Sequence, residues 1–404
     1  MKILQINSVN GVGSTGRIAS DLQEGLRQAG EECRIAYGRG PANDSDRDFR
    51  IGSRAEVLAH VAETRLADRH GFGSLSATRR FVKQAEVWGP DLVHLHNVHG
   101  YYLHVGELMD FLRSAAIPVI WTLHDCWPFT GHCAYYEYVG CDRWQTGCGH
   151  CPQKKSYPAS LLFDRSVRNF EDKKRWFSGF RRLTLVTPSE WLAGEVGRSF
   201  LSEYPIRVIQ NGIDLSVFHP VPGEEARRRI GVGPQERLVL GAANVWEERK
   251  GLRYLAALSE RLGSGYRVAA VGVTPREAAA LPRAMIALPR TDRVEELAAL
   301  YSAADVFVNP TMEDNFPTAN LEAIACGTPV VTFRTGGSTE TVDDRTGLVV
   351  EKGEEAALAE AVETILSRAK ARYAADCVAR AADRFDRRRM VARYLECYRE
   401  AISQ

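Results

Sequence analysis

The chain has 404 residues, 45% of them hydrophobic and 25% charged, with a net charge of +1. That length and balance suit a soluble globular protein of two substantial domains, with no basic footprint for nucleic acid. No apolar run approaches the roughly 20 residues that span a bilayer. The start, MKILQINSVN, is broken by Gln5 and Asn7 and makes no signal-peptide core. A cytoplasmic location is expected, where nine cysteines read as thiols or metal ligands before disulfides.

Residues 2–9 read as a first strand. Gly11-Val12-Gly13-Ser14-Thr15-Gly16 follows, then a helix with Ile18, Leu22 and Leu26 on one face. The G-x-G-x-x-G spacing is the dinucleotide fingerprint, which also requires an acid near the end of the second strand. That strand, residues 33–37, runs into Gly38-Arg39-Gly40 without one, which disfavours a nicotinamide cofactor. Residues 41–60 are polar and show no pattern. A helix is expected over 81–88, then a strand over 92–97 whose His94 and His96 read as core histidines. Residues 117–123 form a buried strand ending in His124-Asp125. A polar pair at the carboxyl end of such a strand points into the ligand crevice of a parallel sheet.

Cys133, Cys141, Cys148 and Cys151 fall within HCAYYEYVGCDRWQTGCGHCP, the last two as C-x-x-C. Four thiols at that spacing suit a closed, structural zinc site that staples an insertion too irregular to build its own core. One or two disulfides, or buried free thiols, are the competing readings. Residues 164–182 look helical and basic, with Trp176, Phe177 and Phe180 among Arg168, Lys173, Lys174, Arg175, Arg181 and Arg182. Such a helix either rests on anionic lipid or turns its aromatics into a core.

Strands are expected over 183–188 and 206–210, the second leading to Asn211-Gly212-Ile213-Asp214. Pro220, Pro222 and Gly223 suit an interdomain linker. A second α/β series then begins, with strands over 238–242, 266–273, 288–290 and 304–309. Arg249-Lys250-Gly251 stands at a helix start. Two cations there suit a phosphate group, a solvated basic turn being the competing reading. In the stretch from 310 to 340, Pro317 opens a helix whose apolar face is Leu321, Ile324 and Ala325; Gly327 and Pro329 end it. Val330, Val331 and Phe333 make a buried strand. Acids and glycines therefore sit at the open end of a βα unit. The helix start suits a phosphate, and a carboxylate such as Glu322 suits a ribose diol or sugar hydroxyls. The chain closes with a strand over 347–350, a helix patterned by Leu358, Val362 and Ile365, and another over 387–402.

That stretch resembles the signature of family 4 glycosyltransferases, retaining enzymes of the GT-B fold that use nucleotide-sugar donors. The family pattern is two acids separated by seven residues, a small-residue helix, CGTPVV and a GG loop ending in Glu. Glu322, Ala323, Cys326-Gly327-Thr328-Pro329-Val330-Val331, Gly336-Gly337 and Glu340 match it. Asp314 stands where the first acid is ordinarily Glu, with Glu313 adjacent. Thr122 to Asp125 is similar to the family's T-x-H-D, whose His lies beside the transferred sugar, and NGID is similar to its hinge. Relatives in polysaccharide-assembly clusters carry a similar cysteine insertion after HDCWPFTGHC.

The resemblance implies an α/β protein of GT-B type, two Rossmann-like domains facing across a cleft. Residues 1–210 would form the acceptor side, with the cysteine-rich insertion near 126–160. Residues 211–384 would bind the nucleotide sugar, and 385–404 would be a helix crossing back to the first domain. Glu322 would hold the ribose, Arg249 and Lys250 the phosphates, and Asp314 the sugar with backbone N–H groups of Asn315, Phe316, Pro317's neighbour Thr318 and the loop around them. His124 would face the anomeric carbon, and Gly13 and Ser14 the donor phosphates and acceptor. Asn244 replaces an arginine of the family's phosphate clamp, leaving Arg249 as a candidate substitute. The implied activity is retaining hexosyl transfer from a UDP- or GDP-linked sugar to a saccharide or lipid-linked acceptor in cell-surface polysaccharide assembly. It needs no catalytic cofactor, involves no nucleic acid, and allows peripheral membrane contact. A nucleotide-sugar epimerase, a phosphorylase and a non-catalytic zinc-stapled binding module remain as alternatives.

Overall fold

A computed structural model describes residues 1–41, 47–263, 265–291 and 293–403. The chain forms two compact units, Met1–Gln210 together with Met390–Gln404, and Asn211–Arg389. The break falls at the NGID segment. Val221 donates from its N–H to Ser302 Oγ at 3.2 Å, and a Cβ on Gly223 would stand 2.6 Å from the Ala303 Cα. The expected proline linker is thus packed within the second unit.

The first unit is built on β1 (Lys2–Val9), β2 (Glu32–Arg39), β3 (Phe49–Arg50), β4 (Leu92–Leu95), β5 (Val119–Thr122), β6 (Leu183–Thr187) and β7 (Ile206–Val208). They pair in parallel in the order β3-β2-β1-β4-β5-β6-β7. Successive side chains of a strand face opposite ways, so β1 feeds two cores. Leu4 and Ile6 join Val93, Leu95, Trp121 and Leu123 on one face. Ile3 joins Leu92, Ile120 and Val186 on the other, with Ile18, Leu22 and Leu26 of helix Gly13–Gln28. This second face is closed by Met390, Val391, Tyr394, Cys397 and Tyr398 of the terminal helix Arg387–Ser403.

The stretch read as patternless holds β3 and helix Arg54–Ala67; residues 42–46 lie outside the described residues. Ser53 and Glu56 start that helix with a reciprocal capping box, which satisfies two of its otherwise unpaired N–H groups. It buries only His60 and Thr64, so it shows no apolar stripe.

The second unit is built on β8 (Arg237–Ala242), β9 (Tyr266–Val271), β10 (Ile286–Leu288), β11 (Val306–Asn309), β12 (Val330–Phe333) and β13 (Gly347–Val350). These are also parallel, in the order β10-β9-β8-β11-β12-β13. The strand expected over 288–290 ends at Leu288 instead. In each sheet the order reverses once, between β1 and β4 and between β8 and β11. Open parallel sheets bind ligands at that point, beyond the carboxyl ends of the strands. Among the described residues no helix is long and apolar enough to cross a membrane.

Candidate active site

In the second unit, β8 and β11 run side by side into loops 243–251 and 310–317, and these loops interlock. Met312 N–H donates to the Arg249 carbonyl at 2.7 Å. Gly251 has φ +77°, and a Cβ there would stand 2.1 Å from the Pro310 carbonyl oxygen, so only glycine permits the approach. The contact brings Lys250 Nζ to 2.5 Å from Asp314 Oδ2. Arg249 Nε lies 2.8 Å from Glu247 Oε2 and 4.0 Å from Glu313 Oε1, and its Nη1 donates to the Glu313 carbonyl. Asn244 is exposed on the same loop.

Asp314 is also fixed from the glycine-rich loop. Gly337 N–H donates to its carbonyl at 3.1 Å. Gly336 has φ +47°, and a Cβ there would fall 1.9 Å from that same oxygen. Helix Thr318–Ala325 begins one residue later than expected, because Pro317, with ψ 112°, is its extended cap residue. Asn320 anchors this helix, accepting from Asn309 Nδ2 at 2.8 Å and donating to Thr341 Oγ1 at 2.9 Å. Glu322 is buried and accepts from the Tyr301 hydroxyl at 3.0 Å. Glu313, Asn315, Phe316 and Pro317 are buried, while Asp314 and Thr318 are half-buried at the loop. Two cations and several carboxylates thus gather at one switch point, and Lys250 and Asp314 neutralise each other there. An incoming diphosphate would compete with Asp314 for the ammonium.

In the first unit, His124 follows β5 at the carboxyl edge of the sheet. Its ring stacks on His96 at 12°, with His124 Nε2 3.0 Å from His96 Nδ1. His96 Nε2 lies 2.9 Å from Gln5 Oε1, and Gln5 Nε2 donates to the Ala19 carbonyl at 3.1 Å. Gln5 therefore presents its oxygen, His96 carries its proton on Nε2, and His124 donates from Nε2, which makes Nδ1 its acceptor nitrogen. Burial pulls the His124 imidazole down to about 4, so it is neutral at neutral pH. His94 is enclosed, with Nε2 2.8 Å from Thr122 Oγ1 and Nδ1 2.6 Å from the Tyr398 hydroxyl. His94 and His96 are both satisfied core histidines. Gly13 and Ser14 are exposed at the first turn of their helix.

His99 and Tyr157 carried no sequence signal, whereas Asp125 is half of the polar pair expected at the strand end. Asp125 accepts from His99 Nε2 at 2.8 Å and from Trp127 N–H, and His99 Nδ1 reaches the Tyr157 hydroxyl at 3.1 Å. Burial raises the Asp125 carboxyl, but the opposing charge and hydrogen bond of His99 outweigh it and hold the group below the usual carboxylate range. Tyr301 lies in helix Val294–Ala303 among apolar residues, and nothing in the sequence marks it out. The helix expected over 164–182 spans Ser166–Phe177 and turns its aromatics inward, with Phe177 fully buried. Lys173 is buried with them, donating to the Trp127 and Thr130 carbonyls at 2.7 and 2.9 Å. No cysteine among the described residues is in a disulfide, and Cys133, Cys141, Cys148 and Cys151 line one small cavity. Among the described residues no three His, Cys, Asp or Glu side chains converge in metal-ligand geometry.

Comparison with known proteins places the chain. The model of Glycosyltransferase Family 4 matches residues 15–217, half of the sequence. The chain belongs to glycosyltransferase family 4. A second model, Glycosyl transferases group 1, matches residues 236–368. WcaC of Escherichia coli K12, whose name places it in colanic acid biosynthesis as a glycosyl transferase, is 26% identical over 88% of both chains. The D-inositol 3-phosphate glycosyltransferase of Mycobacteroides abscessus is 34% identical over 44% of this chain and 42% of its own. Among solved structures, sucrose-phosphate synthase of Thermosynechococcus elongatus superposes with a TM-score of 0.73 at 20% identity, over 100% of this chain and 99% of that one. HepE of Anabaena, solved in complex with UDP, gives 0.69 at 17% identity over 99% and 100%. The family 4 glycosyltransferase described here has the GT-B fold, and its terminal helix joins the first unit.

Proposed function

We propose that the enzyme is a retaining hexosyltransferase that moves a sugar from a UDP- or GDP-linked donor to a saccharide or lipid-linked acceptor in cell-surface polysaccharide assembly. The observation that carries this reading is the Lys250–Asp314 pair at the switch point of the second sheet, flanked by Arg249, Glu313 and the buried Glu322. The similarity to WcaC, named for colanic acid biosynthesis, and to HepE, solved with UDP and with UDP-glucose, supports a nucleotide-sugar donor and this process.

In this reading Glu322, oriented by Tyr301, accepts the ribose hydroxyls. Lys250 leaves Asp314 for the diphosphate, and Arg249 supplies the second charge in place of the arginine missing at Asn244. Asp314 then turns to the sugar hydroxyls, with the N–H groups after it. The bond from the anomeric carbon to the phosphate oxygen breaks as the acceptor oxygen attacks from the same face. The acceptor's proton passes to the departing phosphate oxygen, and the nucleoside diphosphate leaves. His124, neutral and fixed in tautomer, contributes a hydrogen bond at the anomeric region. The protein's work is positioning and charge stabilisation.

Screening UDP-, GDP-, ADP- and dTDP-sugars by thermal shift, then determining the anomeric configuration of the product by NMR, tests the assignment. Retained configuration is expected, and an inverted linkage would end the front-face reading. Lys250→Ala is expected to lower kcat by about 10²–10³, as when another preorganised donor to a developing charge is removed. A variant with near-normal turnover would remove Lys250 from the diphosphate.

A further inference from the structure

The insertion between β5 and helix Ser166–Phe177 holds a second constellation that sugar transfer does not use. Its regular backbone is confined to two single turns, Trp127–Phe129 and Arg143–Gln145. Cys133, Cys141, Cys148 and Cys151 nevertheless come together from both ends of it. They line a cavity of about 10 Å³ with His132 and Trp144, room for one small atom. The Cys133 and Cys151 thiols are hydrogen-bonded to each other. Cys148 Sγ accepts from Gly131 N–H at 3.1 Å, and Cys151 Sγ accepts from Gln153 N–H.

Two further buried side chains bear on this segment. His132 is buried, its Nδ1 is 2.5 Å from Asp68 Oδ1, and its Nε2 has no hydrogen-bond partner. His132 Nε2 and Trp144 Nε1 are thus buried polar atoms of the cavity-lining residues that lack a hydrogen-bond partner. Lys173 is fully buried and donates to the Trp127 and Thr130 carbonyls of the same segment.

We propose that Cys133, Cys141, Cys148 and Cys151 bind one Zn²⁺ as a closed tetrathiolate centre, with Lys173 and His132 packed beside it. Zinc is the choice because it is indifferent to redox, prefers four-coordinate tetrahedral geometry and takes thiolate readily. Among the described residues no three side chains stand in metal-ligand geometry, so binding requires the four thiols to close onto the ion. On binding, four S–H bonds give way to four S–Zn bonds and four protons leave to solvent. The centre then does for this segment what a hydrophobic core does elsewhere, tying Cys148 and Cys151 to Cys133 next to the His124-Asp125 strand end. This inference does not depend on the sugar chemistry.

The test is metal analysis of the purified full-length chain, with thiol counting before and after metal release. One zinc per chain is expected, released together with four reactive thiols. Cobalt substitution should give the thiolate charge-transfer and tetrahedral ligand-field bands. The double variant Cys148→Ser/Cys151→Ser should lose the metal. If that variant does not fold, chelator treatment of the native chain replaces it, with a fall in thermal midpoint reversed by Zn²⁺ and not by Mg²⁺. His132→Gln should keep its zinc; loss of the metal there would overturn the all-cysteine ligand set. A metal-free chain that takes up no Co²⁺, or a Cys133–Cys151 disulfide found by mass spectrometry, would overturn the site.

Discussion

His60 and His124 are both buried histidines, and burial pulls each imidazole down to about 4. His60 is held neutral by geometry as well, since its Nε2 accepts from Gly71 and Gly73 N–H groups while Nδ1 faces Ser74 Oγ. In the unfolded chain each takes a proton near 6.5. Between about 6.5 and about 4 the unfolded state therefore binds more protons than the folded one, so stability rises with pH across that window. The first unit should be at full stability above about 6.5 and lose it as the pH falls toward about 4. Thermal midpoints taken from pH 7.5 to 4.5 should show that slope; a flat profile would mean these imidazoles are solvated. That His94 and His96 belong to the core was legible from their place in an apolar strand. The fixed tautomer of His124 was not, because it depends on Gln5, some 119 positions earlier by numbering (124 − 5).

At the level of elements, legibility followed the strength of the apolar period. Strand β1 and strand β13 fall where Lys2–Val9 and Gly347–Val350 suggest, because their hydrophobic runs are bounded by turn residues. Helix Arg54–Ala67 escaped because it covers the core with a histidine and a threonine, and a capping box is a weak signal alone. The glycine-rich loop after β12 was legible as a motif, and the structure supplies its reason. Gly336 is needed because the Asp314 carbonyl occupies the space of a side chain. Gly336→Ala should displace that carbonyl and misplace the Lys250 partner, weakening donor binding with a strain cost of about 1–3 kcal/mol. Calorimetric titration with the nucleotide sugar checks this; unchanged donor affinity would show that the loop tolerates the shift.

At the scale of the molecule, the first unit is assembled from two separated pieces of chain, while the second is continuous. The later piece is integral to the first core. Tyr394 bonds Thr122 Oγ1 at 2.8 Å, Tyr398 bonds His94, and a Cβ on Gly25 would collide with Val391 at 2.5 Å. A chain stopped after Arg389 should expose Ile18, Leu22 and Leu26 and leave His94 with an unmet hydrogen bond. Calorimetry of that truncation should lose the first unit's transition and keep the second's; survival of both would show that the helix is dispensable.

Such an arrangement sets a timetable for the nascent polypeptide. The half translated first cannot complete its interior until the ribosome has released the closing helix, whereas residues 211–389 can settle as soon as they emerge. Order of synthesis and order of maturation therefore run in opposite directions, and the early half waits, incompletely covered, for residues 390–403.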